Sequence, residues 1–150
     1  MTCRSIMNPD SPRLALPMTV ETAIDVLFHA HLRSLPVVDE KGRFQGLFGS
    51  HQLLQLALPK AAMIDEEQGF AFVTEGPEVI SERLKEVAKH SLERYLDKEG
   101  ATICPDVSIV EALHLLYRHR DDLPVVDPKT GKFLGLISAR RAVGKLMEQA

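Results

Sequence analysis

The pentapeptide Leu35-Pro36-Val37-Val38-Asp39 recurs letter for letter as Leu123-Pro124-Val125-Val126-Asp127. Each copy follows a helical pattern and precedes a glycine-containing turn, so a whole structural unit is duplicated. Ahead of the first copy, Val20, Ala23, Ile24 and Leu27 stand at i, i+3, i+4 and i+7, the spacing that lays one apolar stripe along a helix. Ile109, Ala112, Leu113 and Leu116 repeat it ahead of the second. Thr19 and Ser108 precede the stripes, where a hydroxyl accepts from the unpaired amides of a first turn.

The Leu-Pro-Val-Val runs read as short buried strands, with proline near the start where a lost ladder bond matters least. Asp39-Glu40-Lys41-Gly42 and Asp127-Pro128-Lys129-Thr130-Gly131 are turns. Phe44 to Phe48 and Phe133 to Ile137 follow as second apolar runs, which makes each copy a hairpin. Helices from His51 to Leu58 and from Ala139 to Met147 close the copies. Short extended pieces, Leu14 to Pro17 and Ala101 to Pro105, open them. The fold class is therefore α/β: two β-α-β-β-α repeats, each with a right-handed first crossover.

A unit of roughly fifty residues is marginal alone, so the two copies are expected to pack as one body with pseudo-two-fold symmetry. The expected organisation is a first repeat over residues 1–62, an acidic insertion over 63–89, and a second repeat over 90–150. Within the insertion, Asp65-Glu66-Glu67-Gln68-Gly69 reads as solvated connector, with divalent-cation sensing as the alternative. From Glu78 to Lys98 the spacing of Ile80, Leu84, Val87, Ser91 and Tyr95 predicts one long helix with an apolar side.

Several function classes are disfavoured. No run of about 18 apolar residues occurs, so no membrane insertion is expected. The start of the chain lacks the apolar stretch of a signal peptide. Cys3 and Cys104 fall short of a disulfide framework or a zinc site and fit a reducing, cytoplasmic setting. A net charge of -3 disfavours nucleic acid as a partner. His29 and His31, and likewise His114 and His119, miss the i, i+4 spacing of helical metal ligands, and no metal is expected. Cys104 reads as a small buried residue, and no set of nucleophile, base and orienting group points to an enzyme.

The doubled unit, with Leu-Pro-Val-Val-Asp before each hairpin turn and Gly-apolar-apolar after it, resembles a tandem pair of CBS domains. These are the cystathionine-β-synthase-type repeats that form a Bateman module, and the resemblance covers residues 4–58 and 90–147. It implies a non-enzymatic regulator with no resident cofactor. It also implies clefts between the repeats for AMP, ADP, ATP or S-adenosylmethionine, a homodimer formed through the helices of both repeats, and a regulated partner protein. The family signature is a Gly-apolar-x-Thr/Ser-x-x-Asp run, in which the hydroxyl approaches phosphate and the aspartate holds the ribose.

Here the run reads Gly46-Leu47-Phe48-Gly49-Ser50-His51-Gln52 in the first copy and Gly135-Leu136-Ile137-Ser138-Ala139-Arg140-Arg141 in the second. Both lack the aspartate, and this departure leaves an interaction scaffold without ligand as the alternative function. Gln52 accepts only through its amide oxygen, while Arg141 cannot accept at all and suits a phosphate instead. By the family's pattern one cleft would use Leu16, Pro17, Ser34, Leu35, Pro36, Ser50 and Gln52, with Ser50 capping its helix. The other would use Ile103, Cys104, Pro105, Asp122, Leu123, Pro124, Ser138 and Arg141, with Ser138 as either cap or phosphate contact.

Overall fold

Two antiparallel hairpins carry the duplicated runs in the computed structural model, which describes residues 1–59 and 75–148. In the first repeat β1 (Leu14–Ala15) lies parallel to β2 (Ser34–Val38), and β2 pairs antiparallel with β3 (Phe44–Gly49). In the second, β4 (Leu123–Val126) pairs antiparallel with β5 (Phe133–Ile137). Its leading strand shrinks to one parallel bridge between Ile103 and Val125. Both hairpins bulge at the same place, between Val37 and Val38 and between Val125 and Val126.

Each repeat adds two helices, α1 (Val20–Ala30) and α2 (Ser50–Ala57) in the first, α4 (Ile109–His119) and α5 (Ala139–Glu148) in the second. Thr19 and Ser108 cap α1 and α4 as their positions predict, accepting from the amides of Thr22 and Glu111. Both helices end on a left-handed residue, His31 (φ 55) and Arg120 (φ 56). Since neither is glycine, each turn is held by the packing that follows it and not by local preference.

The repeats are completed by exchange of their leading segments. Asn8, which precedes β1 of the first repeat, pairs with Leu136 of the second, through amide-to-carbonyl bonds of 2.7 and 3.2 Å. Asp97, which precedes the Ile103 bridge that opens the second repeat, pairs in the same way with Leu47 of the first, at 2.9 and 2.8 Å. Thr2 bridges Ser108 while Ser91 bridges Thr19, so the crossing is reciprocal. Close backbone contact explains the glycine before each of these leucines. A Cβ on Gly135 would stand 2.4 Å from the carbonyl oxygen of Asn8, and one on Gly46 would stand 2.7 Å from that of Asp97.

The same exchange divides the core. Cys3, Ile6 and Met7 pack with Ile103, Leu116, Leu123, Val125 and Ile137, whereas Leu92 packs with Leu14, Leu27, Leu35, Val37 and Phe48. Burying a side chain the size of Leu92 contributes about 2 kcal/mol, so each borrowed segment is a substantial part of a small core. The hairpins also meet directly: the amides of Phe44 and Phe133 donate to Gly131 and Gly42, and the two rings stack with centroids 6.3 Å apart.

One expected element differs. The helix predicted from Glu78 to Lys98 ends early, as α3 (Pro77–Val87), and the chain resumes as a 3₁₀ turn at Leu92–Tyr95. The carbonyls of Ala88 and His90 instead accept the amides of Glu21 and Val20 at the start of α1, and Leu92 enters the first core. Tertiary demand for those acceptors overrides the helical spacing. α3 buries no residue fully; it lies against α2, with Arg83 donating to the Ala57 carbonyl at 2.6 Å and pairing with Glu75. Asp65, Glu66 and Glu67 lie outside the described residues.

Candidate functional site

A seam runs between the repeats where the left-handed turns after α1 and α4 face each other. At its centre a cavity of about 200 Å³ is lined by His31, Arg33, Ser34, Pro36 and Leu47 from one repeat and by Asp121, Asp122 and Leu136 from the other. The two turns carry opposite charge there. Each end of the seam meets the start of a repeat's closing helix.

At the α2 end the space is small, about 180 Å³, between Arg33, Ser34, Ser50, His51, Gln52, Asp97 and Asp121. The expected cap by Ser50 does not form, because Ser50 is already the first helical residue and Gly49 is the N-cap. Gln52, 8% exposed, accepts the Gly49 amide through its Oε1 at 2.9 Å. That bond takes one lone pair of its only acceptor atom and turns the oxygen toward the backbone. Gly49 is held against its neighbours: a Cβ there would lie 2.2 Å from the Arg33 carbonyl oxygen, which also takes the Ser50 amide at 2.9 Å. No hydroxyl side chain fits at this position.

At the α5 end the cavity is about 440 Å³, lined by Asn8, Ser11, Pro12, Leu32, Asp122, Leu136, Ser138, Arg140 and Arg141. Ser138, the counterpart of Gly49, accepts the Arg141 amide at 3.2 Å and so caps α5 while its own proton stays free. Arg141 reaches back through Nε to the Met7 carbonyl at 3.3 Å, tying the exchanged segment to the helix. The amides of a first helical turn and the helix dipole favour an anion here. Burial, and then the like charge of Asp121, push the Asp122 carboxyl above its ordinary range. Ser11 is 4% exposed, and its hydroxyl has no partner among the described residues. Nothing in the spacing of the sequence marks Ser11, because its place follows from the exchange.

The other expected site residues fall elsewhere. Leu16 and Pro17 border a separate surface depression with Asp39, Lys41, Arg43, Gln45, Ser91 and Glu93. Leu35, Leu123 and Pro124 are buried in the sheets, and Pro36, also buried, reaches only the central seam cavity. Ile103 belongs to the second core, and Pro105 is buried with its carbonyl accepting the Arg4 amide at 3.1 Å. Cys104, expected to be buried, is exposed, and Cys3 is the buried cysteine. Among the described residues no cluster of three or more His, Cys, Asp or Glu converges on a metal position, and no helix is long and apolar enough to cross a membrane.

Residues 3–58 and 84–148 each match the model of the CBS domain. The chain belongs to this family. No curated protein matches it in sequence. Among solved structures it is similar to the CBS-pair protein CBSX2 of Arabidopsis thaliana, at 17% identity and a TM-score of 0.71 over 99% of this chain and 95% of that one. CBSX2 has also been solved in complex with AMP, where the likeness is 21% identity and a TM-score of 0.69 over 99% and 97% of the two chains. A Methanocaldococcus jannaschii protein described as a putative archaeal homologue of γ-AMPK gives 16% identity and a TM-score of 0.73. That likeness covers 97% of this chain and 47% of the other. These likenesses establish the CBS-pair fold.

Proposed function

We propose that this CBS pair is a non-catalytic regulatory module that takes an adenosine-containing ligand (AMP, ADP, ATP or S-adenosylmethionine) at the α5 end of the seam and passes the change to a partner protein. The observation that carries the reading is the larger cavity, where Ser138, Arg140 and Arg141 at a helix start meet an unpartnered buried hydroxyl on Ser11. The AMP complex of CBSX2, a protein of the same fold, supports the ligand class. Asp122 and Leu32 reach this cavity from opposite repeats, so a ligand there touches both and binds best to one relative setting of them. Its differential affinity then shifts that equilibrium.

Ser34, Ser50 and Gln52 line the smaller cleft, which on this reading takes ligand weakly or not at all. A homodimer formed through the repeat helices is part of the proposal. Exposed Phe28 and Leu54 on α1 and α2, and Val110, Tyr117, Val143 and Met147 on α4 and α5, give it an apolar surface to cover. Light scattering at micromolar concentration should give the mass of a dimer, and a monomer would remove this part.

The second reading is an interaction scaffold without ligand, favoured by Arg141 and Gln52 standing where the family signature has its ribose-binding aspartate. Thermal unfolding separates the two. A ligand present at 100 times its Kd adds about 2.7 kcal/mol of stability. For a chain of this length that raises Tm by several degrees. Melting curves unmoved by millimolar AMP, ADP, ATP and S-adenosylmethionine would leave the scaffold.

A further inference from the structure

Opposite charges share the α5 cavity without meeting. Asp122 lines one part of it and Arg140 and Arg141 another, around about 440 Å³. Among the described residues none of the three enters an ion pair. Backbone keeps them apart: Asp122 sits immediately before β4, and the Arg141 guanidinium is drawn toward the Met7 carbonyl. Asp122 is an exposed residue at the cavity, and partial burial of its carboxyl, then the like charge of Asp121, raise its pKa. The Ser11 hydroxyl, 4% exposed and unpartnered, is a further polar group on the cavity with nothing to bond.

We propose that Asp122 is the group that accepts the ribose hydroxyls of a nucleotide in this cavity, while Arg140, Arg141 and the first amides of α5 hold its anionic end. The inference rests on the nucleotide reading above and deepens it. In the family signature the ribose carboxylate stands on the closing helix, at the position Arg141 occupies here. In this chain the carboxylate stands before β4 and the cation stands on the helix. The ligand therefore keeps its phosphate toward the start of α5, where the signature hydroxyl also approaches it, while its sugar is held from before β4 and not from the closing helix. A ligand of this class carries hydroxyl donors suited to Asp122 at one pole and phosphate acceptors suited to the arginines at the other.

The test is calorimetric titration of the full chain with AMP and with 2′,3′-dideoxy-AMP. The wild-type chain should bind AMP about tenfold tighter or more, the expected worth of a bidentate charge-assisted contact. Asp122→Asn should lower AMP affinity to the dideoxy level and leave the dideoxy compound unchanged. Arg141→Gln should weaken both compounds alike. An unchanged Tm for Asp122→Asn without ligand shows that the fold is intact, and Asp122→Glu should restore part of the discrimination. If Asp122→Asn still prefers AMP, the assignment of Asp122 is overturned and nucleotide binding stands. If the wild-type chain binds neither compound, both fall together.

Discussion

At one end of the seam Gly49 is pressed against the carbonyl of Arg33; at the other its counterpart, Ser138, borders an open cavity. The difference traces to loop length. His31 is followed by Leu32, Arg33 and Ser34 before the repeated leucine, whereas Arg120 is followed only by Asp121 and Asp122. The additional residue brings backbone into the space where a hydroxyl would stand, and Gln52 folds inward to take the amide that results. Where the loop is shorter, that space stays open, and the Ser11 hydroxyl beside it has no partner among the described residues. The duplicated fold thus keeps its symmetry in the hairpins and loses it at the two ends of the seam.

The comparison breaks most sharply under exchange of the two residues. Gly49→Ser places a side chain within 2.2 Å of a backbone oxygen, and urea unfolding should show a loss of about 3 kcal/mol. The reciprocal Ser138→Gly removes only a cap and should cost a few tenths of a kcal/mol. Equal costs would mean that the two ends are built alike.

The borrowed segments differ too, since Cys3 fills the second core where Leu92 fills the first. Burial raises the Cys3 thiol to about 11, with smaller effects from Arg4 and Cys104. With the folded pKa above the unfolded one, the thiol's contribution is complete below pH 9 and is lost as pH rises through 11. Over that window the wild-type chain should lose about 2 kcal/mol that Cys3→Ala does not lose, as read from denaturant midpoints. Parallel pH profiles would remove this contrast.

Gln52→Ala should cost about 1–2 kcal/mol by orphaning the buried Gly49 amide. Ser138→Ala should cost about 1 kcal/mol in the same unfolding assay.

Much of the fold was legible because it is written twice. The paired stripes, Thr19 and Ser108 as caps, and the hairpins around Leu-Pro-Val-Val-Asp all follow from periods and residue types that act locally. The exchange of leading segments was not legible, because Thr2 and Ser91, Cys3 and Leu92, or Asn8 and Asp97 share almost no letters. Their equivalence lies in backbone pairing, which places few demands on side chains. The helix expected through Lys98 failed for the same reason, its carbonyls being needed at α1. At the candidate site, the signature pointed to Ser138 and Arg141, which do line the α5 cavity, while Ser11 on the same cavity carries no sequence mark and Gln52 turns inward to the Gly49 amide.

The crossed leading segments give the chain an unusual pattern of vulnerability. Clipping away the first dozen residues would leave the nearer core untouched and strip the farther one of Cys3, Ile6 and the bridge at Asn8. Neither half keeps its whole core when excised along the boundaries of its repeat, because Leu92 of the first core and Cys3 and Ile6 of the second each lie across the cut.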